Sequence, residues 1–267
     1  MKSRRIFALV SLAIAVMAGS GCATSPTGRS QLMLVSEGQA IAASKQAYLD
    51  TVTELNKEGK IVTDTALVRR VQGITNNLVA QAKVMRPESA KWAWEVKVID
   101  EPEEVNAWCM AGGKMAIYTG MLNKLKPTDD ELAQVMGHEI SHALANHTAE
   151  RMSVAMASSL GVTLLGVATE SNEMAMTAGV VAAKLALELP NSRDGESEAD
   201  EIGIELAARA GYDPRAAVTL WQKMGQVGGS APPQFLSTHP SPANRQQRLQ
   251  KLAEKLMPVY ERARAQR

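Results

Sequence analysis

Two histidines four residues apart, His138-Glu139-Ile140-Ser141-His142, lie within a stretch of helical hydrophobic period and constrain this chain more than any other feature. Residues four apart on an α-helix stand one turn above each other on the same face. The two imidazoles can therefore hold one metal ion together, and Glu139 is placed to take a proton from water at that metal. The helix is clearly written. Thr128 reads as its N-cap, Glu131 completes a capping box, and Asp129 and Asp130 fill the first turn. Leu132, Val135, Met136, Ile140, Ala143 and Leu144 then recur with helical period. The chain has four histidines in all, at 138, 142, 147 and 239, so two at metal spacing around a glutamate are a specific signal.

A hydrolytic zinc site usually takes three protein ligands and leaves one position open. The extended arrangement with a third histidine after a glycine fails here, because the glycine is absent and His147 falls one position early. The better candidates lie in Glu196-Ser197-Glu198-Ala199-Asp200-Glu201. Glu196 and Asp200 share a face if this run opens a helix, with Glu196 on the metal and Asp200 accepting the free N–H of a ligating histidine. On spacing alone, Glu198 is a rival ligand, and an ordinary acidic helix N-terminus accounts for the same residues equally well.

Further segments carry a resemblance. The 138–142 motif, the 196–200 segment, Thr238-His239-Pro240-Ser241-Pro242 with Arg245, and Val105-Asn106-Ala107-Trp108 followed by Gly112-Gly113 and Thr119-Gly120-Met121-Leu122 resemble the M48 metallopeptidases. That family includes the Ste24, HtpX and Oma1 types and periplasmic lipoproteins of the BepA and LoiP type. Thr27-Gly28-Arg29-Ser30-Gln31-Leu32-Met33-Leu34 is similar to the mature start of its lipoprotein members. The resemblance implies Glu196, not Glu198, as third ligand of one Zn2+ ion beside His138 and His142. It implies Glu139 as general base, with Asp200 orienting an imidazole. His239 is then either an oxyanion donor or a fourth ligand that switches the site off, and Arg245 steadies the oxyanion or the loop. The implied fold is α+β and mainly helical, zincin-like, with a small β-sheet beside the metal helix. The implied substrates are unfolded or misassembled envelope proteins, and no helical-repeat domain is expected after the last helix.

A chain of 267 residues with 45% apolar content and net charge +1 buries a sizeable core and does not suit a nucleic-acid partner. Lys2-Ser3-Arg4-Arg5 and the apolar run from Ile6 to Ala18 read as a secretory signal, too short for a comfortable span. Ser20-Gly21-Cys22 ends it like a lipoprotein processing site, although Gly19 stands where a larger aliphatic residue is usual. The expected organisation is a signal peptide over 1–21, a tether over 22–35 and a peptidase domain over 36–267. Lipid on Cys22, with Ala23 after it, points to the periplasmic side of the outer membrane. Cys109 is then left without a partner in the chain, as a small buried residue or a redox-sensitive thiol.

Helices are expected from Ser36 to about Asn56 and from a cap at Asp64 to about Met85. Strands are expected at Trp92–Val98, Val105–Trp108 and Met115–Tyr118, the last following a Gly112-Gly113 turn and offering an edge to an extended peptide. Residues 154–189 are apolar in two halves, each short of the ~20 residues of a span, and suit core helices or a lid. Asp213-Pro214 and Ser241-Pro242 open the last two helices. The leading function is a zinc endopeptidase. The rival is a chaperone or assembly factor for outer-membrane proteins with a latent or structural metal site, against which Glu139 argues, since a structural site needs no base.

Overall fold

The computed structural model describes residues 22–63, 65–163, 191–227, 233–240 and 244–266. The expected cap Asp64, the 164–190 stretch of the apolar region and the Ser241-Pro242 helix start lie outside the described residues. Strands β1 (Cys22–Thr24) and β2 (Ser30–Leu32) pair antiparallel, with Cys22 opposite Leu32. Much of the segment read as a tether is thus an ordered hairpin. Helix α1 (Glu37–Lys57) starts at a Ser36–Gln39 capping box, and α2 (Ala66–Met85) starts where the Thr65 hydroxyl accepts from the Val68 N–H. The short strand β3 (Ile61–Val62) lies between them.

β4 (Glu95–Ile99), β5 (Ala107–Met110) and β6 (Lys114–Tyr118) complete a four-stranded sheet in the order β3-β4-β6-β5. β4 and β6 are parallel, and the outer pairs are antiparallel. The edge expected on the strand after Gly112-Gly113 is corrected by this order. β6 is interior, paired on both sides, and the outer strand beside the metal helix is β5. The Gly112-Gly113 turn has φ of +82° and +80°, a left-handed conformation that favours glycine. A Cβ at Gly113 would come within 2.4 Å of Trp94, so the turn packs against that indole and not against a substrate. Trp92 and Trp94 precede β4 and pack on each other with ring centroids 5.2 Å apart.

α3 (Thr119–Leu125) leads to α4 (Asp129–Leu144), which carries the paired histidines. Every residue of α4 from Glu131 to Leu144 is buried. α2, the sheet and α6 (Arg193–Arg209) surround it. α5 (His147–Thr163) begins after Asn146, whose φ of +57° turns the chain back on α4. α7 (Ala216–Gln226), α8 (Gln234–Thr238) and α9 (Arg245–Arg264) close the far side, where Ile204, Ala217, Leu249, Ala253, Leu256 and Tyr260 form a second core. α4 and α6 touch through glycines. A Cβ at Gly137 would lie 2.9 Å from the Gly203 carbonyl oxygen, and one at Gly203 would lie 2.9 Å from the His138 backbone. Among the described residues no helix is long and apolar enough to cross a membrane.

Candidate metal centre and pocket

The site is the contact between α4 and α6. Backbone approach at Gly137 and Gly203 brings the first turn of α6 alongside the histidine face of α4. Ser192 caps that turn by accepting from the Gly195 N–H, and Glu196 follows, fully buried. His138, His142, Glu196 and His239 each offer one donor atom, and the four atoms lie within 4.8 Å of one another.

The spacing of these atoms has a physical reading. His138 Nε2 is 3.1 Å from His142 Nε2, 3.2 Å from His239 Nδ1 and 3.3 Å from Glu196 Oε2. His142 Nε2 is 3.5 Å, and His239 Nδ1 is 2.9 Å, from Glu196 Oε1. A tetrahedron with zinc–nitrogen bonds of about 2.0–2.1 Å has edges of about 3.3–3.4 Å. Glu196 Oε2 and Glu139 Oε1 are buried atoms with no hydrogen-bond partner among the described residues. Convergent imidazole nitrogens and an unsatisfied carboxylate oxygen fit a divalent cation with nitrogen and oxygen ligands.

Electrostatics point the same way. Burial lowers the pKa of His138, but the Glu196 charge and the contacts with Asp200 and Glu196 outweigh it and raise the value to about 9. That is a demand for positive charge, which a metal ion answers as well as a proton does. Burial holds His142 well below the ordinary imidazole range and thus neutral, as a ligand must be. Burial also works against the Glu196 charge, yet His239 and His138 hold its carboxyl well below the usual range. Glu139 moves the other way: burial raises its pKa, which suits a proton acceptor.

Asp200 Oδ1 lies 3.2 Å from His138 Nδ1. Arg245, the first residue of α9, reaches Asp200. Its guanidinium donates to Asp200 Oδ1 at 2.6 Å, approaches Glu196 Oε2 at 3.4 Å and stacks over Trp221. It therefore sits behind the ligands and fixes Asp200, instead of facing an oxyanion in the cavity. His239 ends α8 with its Nε2 3.5 Å from Glu139 Oε1. The cavity in front has a volume of about 370 Å³ and is lined by Glu139, His142, His239, Trp108, Tyr118 and Arg151 among others. Arg151 was not singled out from sequence. Its Nε is buried with no partner among the described residues, and burial lowers its pKa to about 10. Cys109 is buried and lines the same cavity as Glu139, and burial pushes its thiol well above the ordinary value.

A mainly helical fold with a small mixed sheet and a buried His/Glu cluster on its central helix defines a zincin-like metalloprotein. The chain belongs to peptidase family M48, whose model matches residues 66–253. It is 41% identical over 177 residues to the mitochondrial metalloendopeptidase OMA1 of Arabidopsis thaliana, a match covering 66% of this chain and 35% of that protein. To the mitochondrial metalloendopeptidase OMA1 of Homo sapiens it is 32% identical over 247 residues, or 88% and 46% of the two chains. The beta-barrel assembly-enhancing protease of Escherichia coli (strain K12) is 28% identical over 217 residues, covering 78% and 43%. The chain spans less than half the length of these three relatives.

Proposed function

We propose that this chain is a zinc-dependent endopeptidase of the bacterial cell envelope that cleaves unfolded or misassembled proteins. The observation carrying this reading is the buried convergence of His138, His142 and Glu196 with Glu139 beside them. His138, His142 and Glu196 would hold a zinc ion, which when bound would supply Lewis acidity toward water and a carbonyl. Glu139 holds and relays the proton, from water to the leaving amine. Asp200 accepts from His138 Nδ1–H and keeps Nε2 free for the metal, and Arg245 keeps Asp200 in place. The substrate strand lies along β5, the outer strand of the sheet and part of the cavity wall through Ala107, Trp108 and Cys109.

The envelope setting rests on the N-terminal signal pattern up to Cys22 and on likeness to the beta-barrel assembly-enhancing protease. We place the chain on the periplasmic side of the outer membrane, anchored by lipid on Cys22, with the ordered segment 22–35 docked on the peptidase unit from 36 to 267. The mitochondrial OMA1 relatives share the chemistry in another compartment. One observation favours a second, latent state: His239 Nδ1 belongs to the same donor group and completes four ligands, the closed set of a non-catalytic site.

The test is digestion of casein by the zinc-loaded chain beside Glu139→Gln at equal metal content. Cleavage that falls about 10²–10⁴-fold in the variant supports the mechanism. Equal cleavage by both proteins assigns the activity to a contaminant and removes Glu139 from the chemistry.

A further inference from the structure

His138 has a carboxylate, Asp200, directly behind its Nδ1, but among the described residues no carboxylate touches the Nδ1 of His142. His147 occupies that place. The left-handed Asn146 ends α4 and returns the chain so that His147, the first residue of α5, lays its ring against His142 with centroids 4.9 Å apart. The two Nδ1 atoms are 2.7 Å apart, and the Nε2 of His147 is 3.1 Å from Glu198 Oε2. Both residues of this pair are buried, His147 at 3% exposure and Glu198 at 3%.

We propose that His147 is a positioning residue of the metal centre, relaying the Glu198 carboxylate to His142 and fixing the tautomer in which His142 Nε2 faces the metal. The proton count leaves one arrangement. An ionised carboxylate only accepts, so His147 carries its proton on Nε2 and turns the Nδ1 lone pair to His142. His142 must then donate from Nδ1, which leaves its Nε2 lone pair for the donor group. Any other placement turns an N–H toward the metal position or sets two lone pairs face to face. The metal reading above underlies this inference.

The relay is held from outside by the N-terminal hairpin. Glu198 Oε1 accepts from the Thr27 hydroxyl at 2.8 Å, and Oε2 accepts from Arg29 Nε at 3.0 Å. Arg29 also forks onto Glu150 with contacts of 2.7 and 2.6 Å. Gln31 Nε2 bridges Glu150 at 2.9 Å and the Ala145 carbonyl, at the end of α4, at 2.8 Å. Bidentate, charge-assisted contacts of this kind fix geometry as well as adding energy. The hairpin therefore orients Glu198, Glu198 orients His147, and His147 orients the ligand.

The experiment measures zinc affinity by competition with a chromophoric chelator for the parent chain, His147→Leu, His147→Gln, Glu198→Ala and the His147→Leu/Glu198→Ala double variant. His147→Leu and Glu198→Ala should each weaken zinc binding by about 10–100-fold. The double variant should lose no more than either single one, since both cut the same relay. His147→Gln keeps an acceptor and a donor and should recover most of the affinity. Multiplying losses, or a His147→Leu affinity within twofold of the parent, overturns the relay. If the parent itself does not bind zinc, the metal reading fails instead. Should the leucine variant not fold, nitrogen-15 spectra of the zinc-loaded parent decide: the relay requires protons on His142 Nδ1 and His147 Nε2, and the reverse placement refutes it. With four histidines in the chain, the signals are assignable.

Discussion

At the scale of single residues, the proposed latent state turns on His239. Its Nδ1 lies 3.2 Å from His138 Nε2 and 2.9 Å from Glu196 Oε1, within the donor group, so as a fourth ligand it would compete with water for the metal. His239→Ala should therefore keep zinc on three ligands and raise casein turnover. If the open form is about a tenth of the population, the gain is about tenfold. A variant that binds zinc normally but loses turnover would make His239 a transition-state donor instead. The sequence announced His138, Glu139 and His142 by spacing alone, because one helical turn dictates their geometry. It could not choose between Glu196 and Glu198 on the same grounds. Both are buried on α6, but Glu196 faces the donor group while Glu198 faces His147 and Arg29.

At the scale of elements, the site depends on how closely α4 and α6 approach and on how α4 is anchored. Gly203→Ala places a methyl 2.9 Å from the His138 backbone, where neither helix can yield without moving a ligand. Overpacking of this kind costs about 1–3 kcal/mol, and zinc affinity should fall with stability in urea unfolding and chelator competition. Unchanged affinity would show that the helices slide without disturbing the ligands. Glu131 anchors the start of α4. It accepts from the Thr128 N–H as part of the capping box, from the Thr219 hydroxyl and from Lys223 on α7. Burial alone would raise its pKa, but these contacts, Lys223 foremost, hold it below the ordinary carboxylate value. A depressed folded-state pKa adds stability above the unfolded pKa and loses it as pH falls through the folded value. Glu131→Gln should therefore be less stable than the parent at neutral pH and converge with it in acid, measured by urea midpoints across pH. A gap that stays constant with pH would assign the effect to packing.

At the scale of the whole molecule, the donor group joins α4, α6 and the end of α8, so one bound ion would cross-link much of the fold. Zinc at 1,000 times its Kd should stabilise the chain by about 4 kcal/mol. For a domain of this size that corresponds to a rise in Tm of roughly 8–16 °C, reversed by a chelator. A Tm indifferent to zinc and chelator would mean that the four side chains do not hold metal together. The hairpin over Cys22–Leu32 belongs to the same scale. It reads locally as a tether of Ser, Thr, Pro and Gly, and its order comes from Arg29, Thr27 and Gln31 reaching α5, α6 and the end of α4.

What the sequence determined by itself is what short-range rules control. The capping box at Thr128, the hydrophobic period of α4 and the histidine spacing all act within one or two helical turns. The tertiary structure decided what must converge across the chain. His138 meets His239 across 101 residues, and Thr27 meets Glu198 across 171. Those meetings depend on glycines that let helices touch, on an order of strands that places β5 and not β6 at the edge, and on a left-handed Asn146 that turns His147 inward. None of these has a local signature, because a glycine or an asparagine acquires its role only from the neighbour that packing brings to it.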